Sequence, residues 1–253
     1  MFFTNKKKYI IALSIFLHIF LCNITLAKEE IKKTDEQYNF DGMYYFADRS
    51  YTSSAEQFEA LTQRYPYSPY THNALLMEIY TNFLDDELDK IPGIAEVFYR
   101  LFPLDKNTDY VLYMHALSGL LYKPWFRKYK LLTDEARSMS KVYESEVVLT
   151  KLVNDFPESK YTEDAKQKLL YIKGLKQLNE VFVGERYQKL GNFIGAMKRY
   201  TGMFEIYKDD IHPQIEERLL CNLVGLTKTL KLDNESEKYK QLLQKKYPSN
   251  KCK

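Results

Sequence analysis

The sequence predicts an all-α protein, an α-solenoid of about five stacked helix pairs. Glycine and proline are scarce, at 9 and 8 of 253 residues, which argues against the many tight turns that strand-rich folds need. Charged residues dominate together with leucine, alanine, glutamine and glutamate, and this composition favours helix. Aromatic-proline pairs recur along the chain and mark the ends of repeated units.

The N-terminal segment has the plan of a secretory signal peptide. Residues 6–8 are lysines, residues 10–21 are mostly apolar, and residues 25–27 end in an alanine, as signal-peptidase sites do. The apolar part is shorter than the roughly 20 residues that a membrane-spanning helix needs. We therefore expect residues 1–27 to be a signal that is cleaved on export, with an uncleaved anchor as the alternative.

Cys22 is a candidate lipidation site in a weak sequence context. Lipoprotein processing takes place at a cysteine that follows a small residue, whereas Ile19, Phe20 and Leu21 precede this one. We expect Cys22 to leave with the signal peptide. Acylation of Cys22 is the alternative that the sequence leaves open.

Removing residues 1–27 leaves a chain with no formal net charge. The whole chain has 37 lysines and arginines against 34 acids, and the signal holds three of the lysines and none of the acids. A nucleic-acid-binding protein would carry a concentrated basic face. The mature chain is therefore not expected to bind nucleic acid.

The aromatic-proline pairs have the spacing of tetratricopeptide repeats with insertions. They fall at Tyr65-Pro66, Phe102-Pro103, Phe156-Pro157 and Tyr247-Pro248, and Tyr207-Lys208 occupies a fifth such place without the proline. The steps are 37, 54, 51 and 40 residues, against a period near 34 for a repeat whose second helix ends at a proline. Proline there stops the helix and turns the chain into the next unit.

The fourth unit shows the internal pattern of the repeat most fully. Gly191 and Asn192 supply a turn in which φ can be positive. Ala196 is a small residue where two helices are expected to approach closely. Tyr187 and Tyr200 are expected to fill the space between these helices.

The repeats divide the mature chain into two halves around an insertion. Residues 28–120 hold repeats one and two, residues 121–140 form the insertion, and residues 141–253 hold repeats three to five. Within the insertion, the basic and aromatic run 123–128 around Trp125 is either a contact site or a helix end in which Trp125 covers the core. Ser68, followed by Pro69, and Ser159 come directly after aromatic-proline turns and are predicted to cap the helices that begin there.

The sequence contains no recognisable catalytic or metal-binding pattern. His72, His115 and His212 stand in different repeats, and none has a second ligand at helical spacing. Nucleophile-elbow, phosphate-binding and zinc-protease motifs are all missing from the sequence. The acids at 85–87 are predicted to form a solvated turn. We expect a protein that is not an enzyme and that holds neither a metal nor a cofactor.

Cys221 and Cys252 are the two cysteines of the mature chain. In an oxidising compartment they could form a disulfide that ties the C-terminal helix to its neighbour. The alternative is a buried Cys221 beside an unbonded Cys252 close to the chain end.

Three stretches of the chain resemble the BamD family of outer-membrane assembly lipoproteins, which have five tetratricopeptide repeats. The first is QFEALTQRYPYSPYTHNALLMEIY at 57–80, the second is NTDYVLYMHAL at 107–117, and the third spans 157–207. The third stretch includes SKYTEDAKQKLLYIK and GERYQKLGNFIGAMKRYTGM. Together they run through most of the mature chain.

The resemblance implies a component of the machinery that inserts β-barrel proteins into the outer membrane. The family's C-terminal repeats hold the barrel insertase through its periplasmic POTRA domains, which implies partner contacts at Lys189, Gly191 and Arg199. Its N-terminal repeats are proposed to receive unfolded outer-membrane proteins. The residues implied for that role are Tyr67, Pro69, Tyr70 and Tyr80.

By the same resemblance, the protein would lie at the periplasmic face of the outer membrane, held by a lipid or by a partner and beside other assembly lipoproteins. Two positions depart from the family. The lipobox before Cys22 is weak, and Leu190 stands where the family often has arginine. A polar contact to the POTRA domain is therefore replaced or lost.

Two other functions fit an exported helical repeat protein. A periplasmic adaptor that coordinates envelope constriction or peptidoglycan synthesis would usually add an N-terminal coiled coil, and residues 28–40 are too short and polar to form one. A helical lytic transglycosylase would need a compact catalytic domain, and no residues remain after repeat five to build it. We therefore favour the assembly scaffold.

Overall fold

The structure is a computed structural model that describes residues 33–122, 139–250 and 252. These residues form ten α-helices and no strand: α1 (Asp35–Ala47), α2 (Tyr51–Arg64), α3 (Thr71–Leu84), α4 (Ile91–Leu101), α5 (Thr108–Leu121), α6 (Met139–Asp155), α7 (Thr162–Lys189), α8 (Phe193–Tyr207), α9 (Pro213–Thr229) and α10 (Asp233–Lys246). The predicted signal, Cys22 and the run around Trp125 lie outside the described residues.

The helices pack in chain order as five pairs, α1 with α2 through to α9 with α10. Consecutive helices are in contact throughout the described chain, and α3 also contacts α5 while α7 contacts α9. Packing against near neighbours is the defining property of a solenoid. The predicted all-α, tetratricopeptide-like fold is therefore confirmed.

The insertion lies at a different place in the repeat pattern from the one predicted. We expected residues 121–140 to separate repeats two and three. In the structure α5 and α6 flank the undescribed residues 123–138 and pack closely, since Ser145 Oγ on α6 donates to the Ala116 carbonyl on α5 at 2.9 Å. The insertion therefore falls between the two helices of the third pair, because α5 belongs with α6 by packing.

The turns inside four of the pairs share one backbone conformation. A residue with positive φ follows the first helix of each: Arg49 (61°), Asp86 (60°), Gly191 (75°) and Lys231 (57°). The next amide donates to the carbonyl five residues earlier at 2.8–2.9 Å. This is the Schellman motif, in which the left-handed residue ends the helix. The positive φ predicted at Gly191 is confirmed, and three non-glycine residues adopt the same conformation.

The turns between pairs do not use the serine caps that we predicted. The helices begin at Thr71 and Thr162, three residues after Ser68 and Ser159, so Pro69 is outside the helix. Each serine instead joins two repeats, because Ser68 Oγ donates to Asp35 Oδ2 at 2.7 Å. Ser159 makes the equivalent bond to an acid at the start of α5, at 2.6 Å.

The hydrophobic core continues from pair to pair and places small residues where helices approach. Gly42 lies against the Phe58 ring in the first pair, and Gly184 lies against the Tyr200 ring in the fourth. Tyr200 is fully buried, as the sequence predicted. The long α7 contributes to two clusters, with Ile172 in the one shared with α5 and α6 and Val181 in the C-terminal one.

A disulfide joins Cys221 on α9 to Cys252 near the chain end, with their Cα atoms 5.5 Å apart. Of the two alternatives that the sequence left open, the structure therefore adopts the bridged one. The same end is held by Glu216, which accepts hydrogen bonds from Lys246 Nζ and the Tyr247 hydroxyl, both at 2.6 Å. These contacts fix the last helix against α9. None of the described helices has both the length and the apolar character required to cross a membrane.

Candidate binding surfaces

The four residues implied for substrate binding lie near α2 and α3 but face different surroundings. Tyr67 and Pro69 are exposed in the turn between these helices, and Tyr67 has 91% of its surface exposed. Tyr70 is half-buried and packs against the first core cluster. Tyr80 is partly exposed on α3, and its ring centroid lies 5.8 Å from that of Phe46.

These side chains contribute to separate surfaces. Tyr67 lines a groove between α2 and α4. Tyr70 lines a second depression beside α1, next to the exposed Phe40 and Met43. Tyr80 packs with Phe46 at the end of α1. The structure therefore brings Tyr67 and Pro69 together and separates them from the other two.

The groove between α2 and α4 has α3 as its floor. Residues of α2 form one wall, and residues of α4 spaced at three and four positions form the other. Its lining is mixed, with Leu75, Ile94 and Val97 as apolar surface and Glu78 and Asn82 as buried polar groups. It therefore offers both apolar contact and hydrogen bonds.

Glu78 is the chemically unusual residue of this groove. Its side chain is buried, with 6% of its surface exposed. Burial raises the pKa of the Glu78 carboxyl from 4.5 to about 8, although the hydrogen bond with Thr62 at 3.2 Å acts in the opposite direction. Glu78 is therefore predominantly protonated at neutral pH.

Sequence reasoning missed Glu78 although the sequence contained a signal for it. Ala74, Leu75 and Ile79 are fully buried, and together with Glu78 they share one helical face at spacings of three and four residues. An acid within such an apolar face departs from the pattern of a core helix. Such a departure from the expected pattern is typical of a functional or strained position.

The C-terminal residues implied for partner binding cluster only in part. Lys189 and Gly191 are exposed at the turn between α7 and α8. Arg199 lies further along α8 and donates to Glu180 Oε2 on α7 at 3.0 Å. Glu180 precedes Lys189 by two and a half turns of helix, which is about 13 Å. Arg199 thus forms an ion pair with another residue of the same chain, at some distance from the turn between α7 and α8.

Apolar side chains form much of the exposed surface of the α7–α8 turn. Leu190 and Ile194, on either side of Gly191, expose 72% and 70% of their surfaces. The sequence identified Leu190 as a departure from the family and missed Ile194. This turn combines one cation, Lys189, with two apolar side chains.

A charged cluster joins α7 to α9 beside an apolar groove. Arg218 donates twice to Glu185, both at 2.7 Å, and Asn222 donates to the same carboxylate at 2.9 Å. Although burial alone would raise it, these bonds lower the pKa of the Glu185 carboxyl. Next to the cluster, Leu170 and Tyr171 are exposed along the groove.

The histidines that the sequence singled out are in structural positions. His72 Nε2 lies 2.9 Å from Asp105 Oδ2 in the turn between α4 and α5. His115 Nε2 lies 3.1 Å from Glu144 Oε1 across the third pair. His212 precedes α9 at its N-cap position. Each stands in a different part of the solenoid.

Comparison with known proteins relates the chain to one family. The family model described as YfiO, outer membrane lipoprotein, matches residues 27–242. Among curated proteins, the outer membrane protein assembly factor BamD of Pasteurella multocida is 28% identical over 71% of this chain and 69% of its own length. BamD of Rickettsia prowazekii is 26% identical over 83% and 79%. BamD of Neisseria gonorrhoeae is 27% identical over 84% and 81%.

Proposed function

The chain belongs to the YfiO family of outer membrane lipoproteins, and on that premise we propose that it is a non-enzymatic scaffold in the assembly of outer-membrane proteins. Its relatives are named outer membrane protein assembly factors. The observation that carries the proposal is the extent of the match, since residues 27–242 include nine of the ten described helices and most of α10.

The C-terminal pairs are proposed to bind the barrel insertase through its POTRA domains. The turn between α7 and α8 supports this role, because Lys189 is exposed beside Gly191 and the side chains of Leu190 and Ile194 reach solvent. An interface needs apolar anchors surrounded by polar groups. Arg199 would contribute at the rim, where its charge is shared with Glu180.

The N-terminal pairs are proposed to receive unfolded outer-membrane proteins. Tyr67 is nearly fully exposed next to Pro69, while Tyr70 and Tyr80 present part of their rings on neighbouring surfaces. Tyrosine provides large contact area at low entropic cost, together with a hydroxyl for main-chain groups. An extended chain could use these contacts without fixed sequence.

The protein is proposed to act at the periplasmic face of the outer membrane after cleavage of residues 1–27. Intact mass of the protein purified from envelopes tests this, because cleavage predicts a chain that begins at Lys28. A chain that begins at a modified Cys22 would instead establish a lipid anchor.

The insertase contact is tested by titrating the purified mature chain with the POTRA-domain fragment of the insertase from the same organism. Lys189→Glu and Leu190→Asp are each expected to weaken binding about tenfold, because they place an acid in the contact. Lys106→Glu provides a matched control, since Lys106 is an exposed lysine in the turn between α4 and α5.

Arg199 needs a separate control because Arg199→Glu would also place a second carboxylate beside Glu180 and cause repulsion within the protein. The double variant Arg199→Glu with Glu180→Arg keeps the internal pair and still changes the surface charges. The proposal predicts weakened binding for both the single and the double variant. Unchanged affinity for all the C-terminal variants would exclude this surface as the insertase contact.

A further inference from the structure

Two successive turns of the solenoid each present a largely apolar side chain that hardly contacts its own chain. Tyr67 and Leu104 expose 91% and 98% of their surfaces. Each lies two residues after the aromatic residue that ends the second helix of a pair, Tyr65 or Phe102. Because the rotation from one repeat to the next is small, side chains at equivalent positions point in similar directions. Tyr67 and Leu104 therefore protrude from the same edge of the molecule.

The two turns also lie against each other. His72, in the first turn of α3, places its Nε2 2.9 Å from Asp105 Oδ2, and its ring centroid lies 5.1 Å from that of Phe102. Residues 64–70 and 100–107 therefore form one continuous surface, which we call the turn surface.

The turn surface presents positive charge to solvent. Arg64 and Arg100 are exposed in the last turns of α2 and α4, and Lys106 is exposed between α4 and α5. None of these three cations forms an ion pair with a residue in the described part of the chain. The carboxylate of this surface, Asp105, already contacts the histidine and accepts from the Asn107 amide at 2.8 Å. The turn surface, all of whose residues are described, therefore offers cations to a partner and no free carboxylate.

The backbone of the turn surface can leave water at little cost. Three of its residues are prolines, which have no N–H to donate: Pro66, Pro69 and Pro103. Four of its amides donate within the chain at 2.8–3.2 Å, namely those of Ser68, Tyr70, Asp105 and Asn107. A polar group that already has its partner is much cheaper to move into an apolar environment than one without.

The same position carries an acid in the next two repeats. Glu158 and Asp209 lie two residues after Phe156 and Tyr207, and both are exposed. An anionic surface would attract the turn surface and repel these two acids. At this position, the edge of the solenoid therefore changes from apolar in the N-terminal half to acidic in the C-terminal half.

Protruding side chains of this kind fit a lipid bilayer better than they fit a protein. A protein partner would need a separate pocket for each, whereas a bilayer accepts protruding side chains at any spacing. Tyrosine is enriched where headgroups meet acyl chains, and cations beside apolar anchors bind anionic lipids. We propose that the turn surface binds a phospholipid bilayer, with Tyr67 and Leu104 inserted at the level of the headgroups. Arg100 and Lys106 pair with lipid phosphates.

This contact goes beyond the proposed scaffold role, since it requires neither the insertase nor an unfolded outer-membrane protein. It orients the solenoid with its first two inter-pair turns at the membrane and the acidic turns away from it. Tyr67 also belongs to the proposed reception surface, whereas Leu104 and Lys106 do not. Variants at Leu104 and Lys106 therefore test the membrane contact by itself.

The test is sedimentation of the purified mature chain with vesicles of phosphatidylethanolamine and a minority of phosphatidylglycerol at low salt. Leu104→Ser should weaken binding about fivefold, because it removes one apolar anchor. Lys106→Glu should weaken it about tenfold, because it reverses one charge at the anionic surface. Vesicles of phosphatidylcholine alone, or high salt, should reduce binding of the wild-type chain.

Two residues of α8 provide matched controls. Ile206 exposes 71% of its surface and Lys198 is exposed, and both lie outside the turn surface. Ile206→Ser and Lys198→Glu repeat the loss of an apolar side chain and the change in net charge. Both should bind the vesicles as the wild-type chain does.

A dye at position 104 reports insertion directly. Cys221 and Cys252 are bonded to each other, so an introduced cysteine can be labelled selectively in the mature chain. Leu104→Cys that carries a nitrobenzoxadiazole dye should brighten and shift its emission to the blue when the anionic vesicles are added. The same dye on Ile206→Cys should not respond.

The possible results separate this proposal from the scaffold role. Absence of wild-type binding to the anionic vesicles, or equal binding by Leu104→Ser, Lys106→Glu and the controls, would overturn the membrane contact. An unchanged emission at position 104 on bound protein would overturn it too. None of these results affects the insertase titration, which contains no lipid and in which Lys106→Glu should keep full affinity.

Discussion

Glu78 lies on α3 with its carboxyl buried between α2 and α4, and burial raises its pKa from 4.5 to about 8. The unfolded chain leaves this carboxyl near its usual pKa. Between about pH 4.5 and pH 8 the native state therefore holds a proton that the unfolded state has lost. The free energy of unfolding should fall as pH rises through this window and become constant above it.

Replacing Glu78 by glutamine should remove this contribution, because the amide does not titrate. Urea unfolding of both proteins at about pH 5 and about pH 8 measures it, and wild type should lose roughly 2–4 kcal/mol more than Glu78→Gln. Carboxyls with lowered pKa values, such as Asp105 and Glu185, titrate below this window. Parallel pH profiles would show that Glu78 is already ionised in the native protein.

Two glycines of α7 offer a matched test of core packing. A Cβ atom at Gly184 would clash with a ring carbon of the fully buried Tyr200, whereas one at Gly174 meets nothing within 4 Å. Gly184→Ala should destabilise the protein by about 1–3 kcal/mol through overpacking. Gly174→Ala should stabilise it by about 0.5–1 kcal/mol, because alanine favours helix.

Thermal unfolding of the two alanine variants provides the comparison. A lowered midpoint for Gly184→Ala with a raised midpoint for Gly174→Ala supports the close approach of α7 and α8. Equal shifts would mean that Tyr200 can move aside at no cost.

At the scale of single residues, the sequence predicted a positive-φ backbone conformation only where the residue type itself favours it. Gly191 was predictable as a positive-φ residue, since glycine tolerates that region. Arg49, Asp86 and Lys231 adopt the same conformation without such a signal, because the Schellman hydrogen bonds of the turn determine it. Glu78 was visible as an acid on an apolar face, but its groove depends on the packing of three helices.

At the scale of elements, the bond between Cys221 and Cys252 holds the last helix against α9 across 31 residues of chain. Cys252→Ser should lower the free energy of unfolding by about 2–4 kcal/mol, because the unfolded chain regains the freedom of that loop. Urea unfolding followed by circular dichroism measures the loss.

The reduced wild-type protein is the control for this variant. It should match Cys252→Ser in stability, and the variant should not respond to reductant. A wild-type protein whose stability is insensitive to reductant would contradict a stabilising role for the bridge.

Helix ends were harder to predict than the helices themselves. Ser68 and Ser159 have the sequence context of N-caps, but the helices begin three residues later. Their hydroxyls bind acids at the start of the preceding first helix, such as Asp35, and this contact across a repeat is invisible to local sequence. The insertion was misplaced for a similar reason, since only packing assigns α5 to α6.

At the scale of the whole molecule, α7 connects the two halves of the solenoid. Ile172 packs with the cluster formed by α5 and α6, and Val181 packs with α8 and α9. Between them, the buried Gln177 donates to the Asp210 carbonyl at 2.7 Å and accepts from the His212 amide at 2.9 Å. The turn between α7 and α8, which we propose as the insertase contact, is thereby supported by a helix that also belongs to the central core.

The spacing of the repeats predicted this architecture because each repeat forms the same pair of helices. Aromatic-proline pairs end four second helices within the described solenoid, at Tyr65, Phe102, Phe156 and Tyr247. The functional surfaces could not be predicted in the same way. They lie between repeats, where the side chains of three helices meet.

The most direct test of the assembly role is affinity purification of the full-length chain, tagged at its C-terminus, from cell envelopes, with partners identified by mass spectrometry. The assembly role predicts recovery of an outer-membrane β-barrel protein with periplasmic POTRA domains, reduced by Lys189→Glu and unaffected by Lys106→Glu. Recovery of cell-division or peptidoglycan proteins without such a barrel protein would contradict it and favour an envelope adaptor.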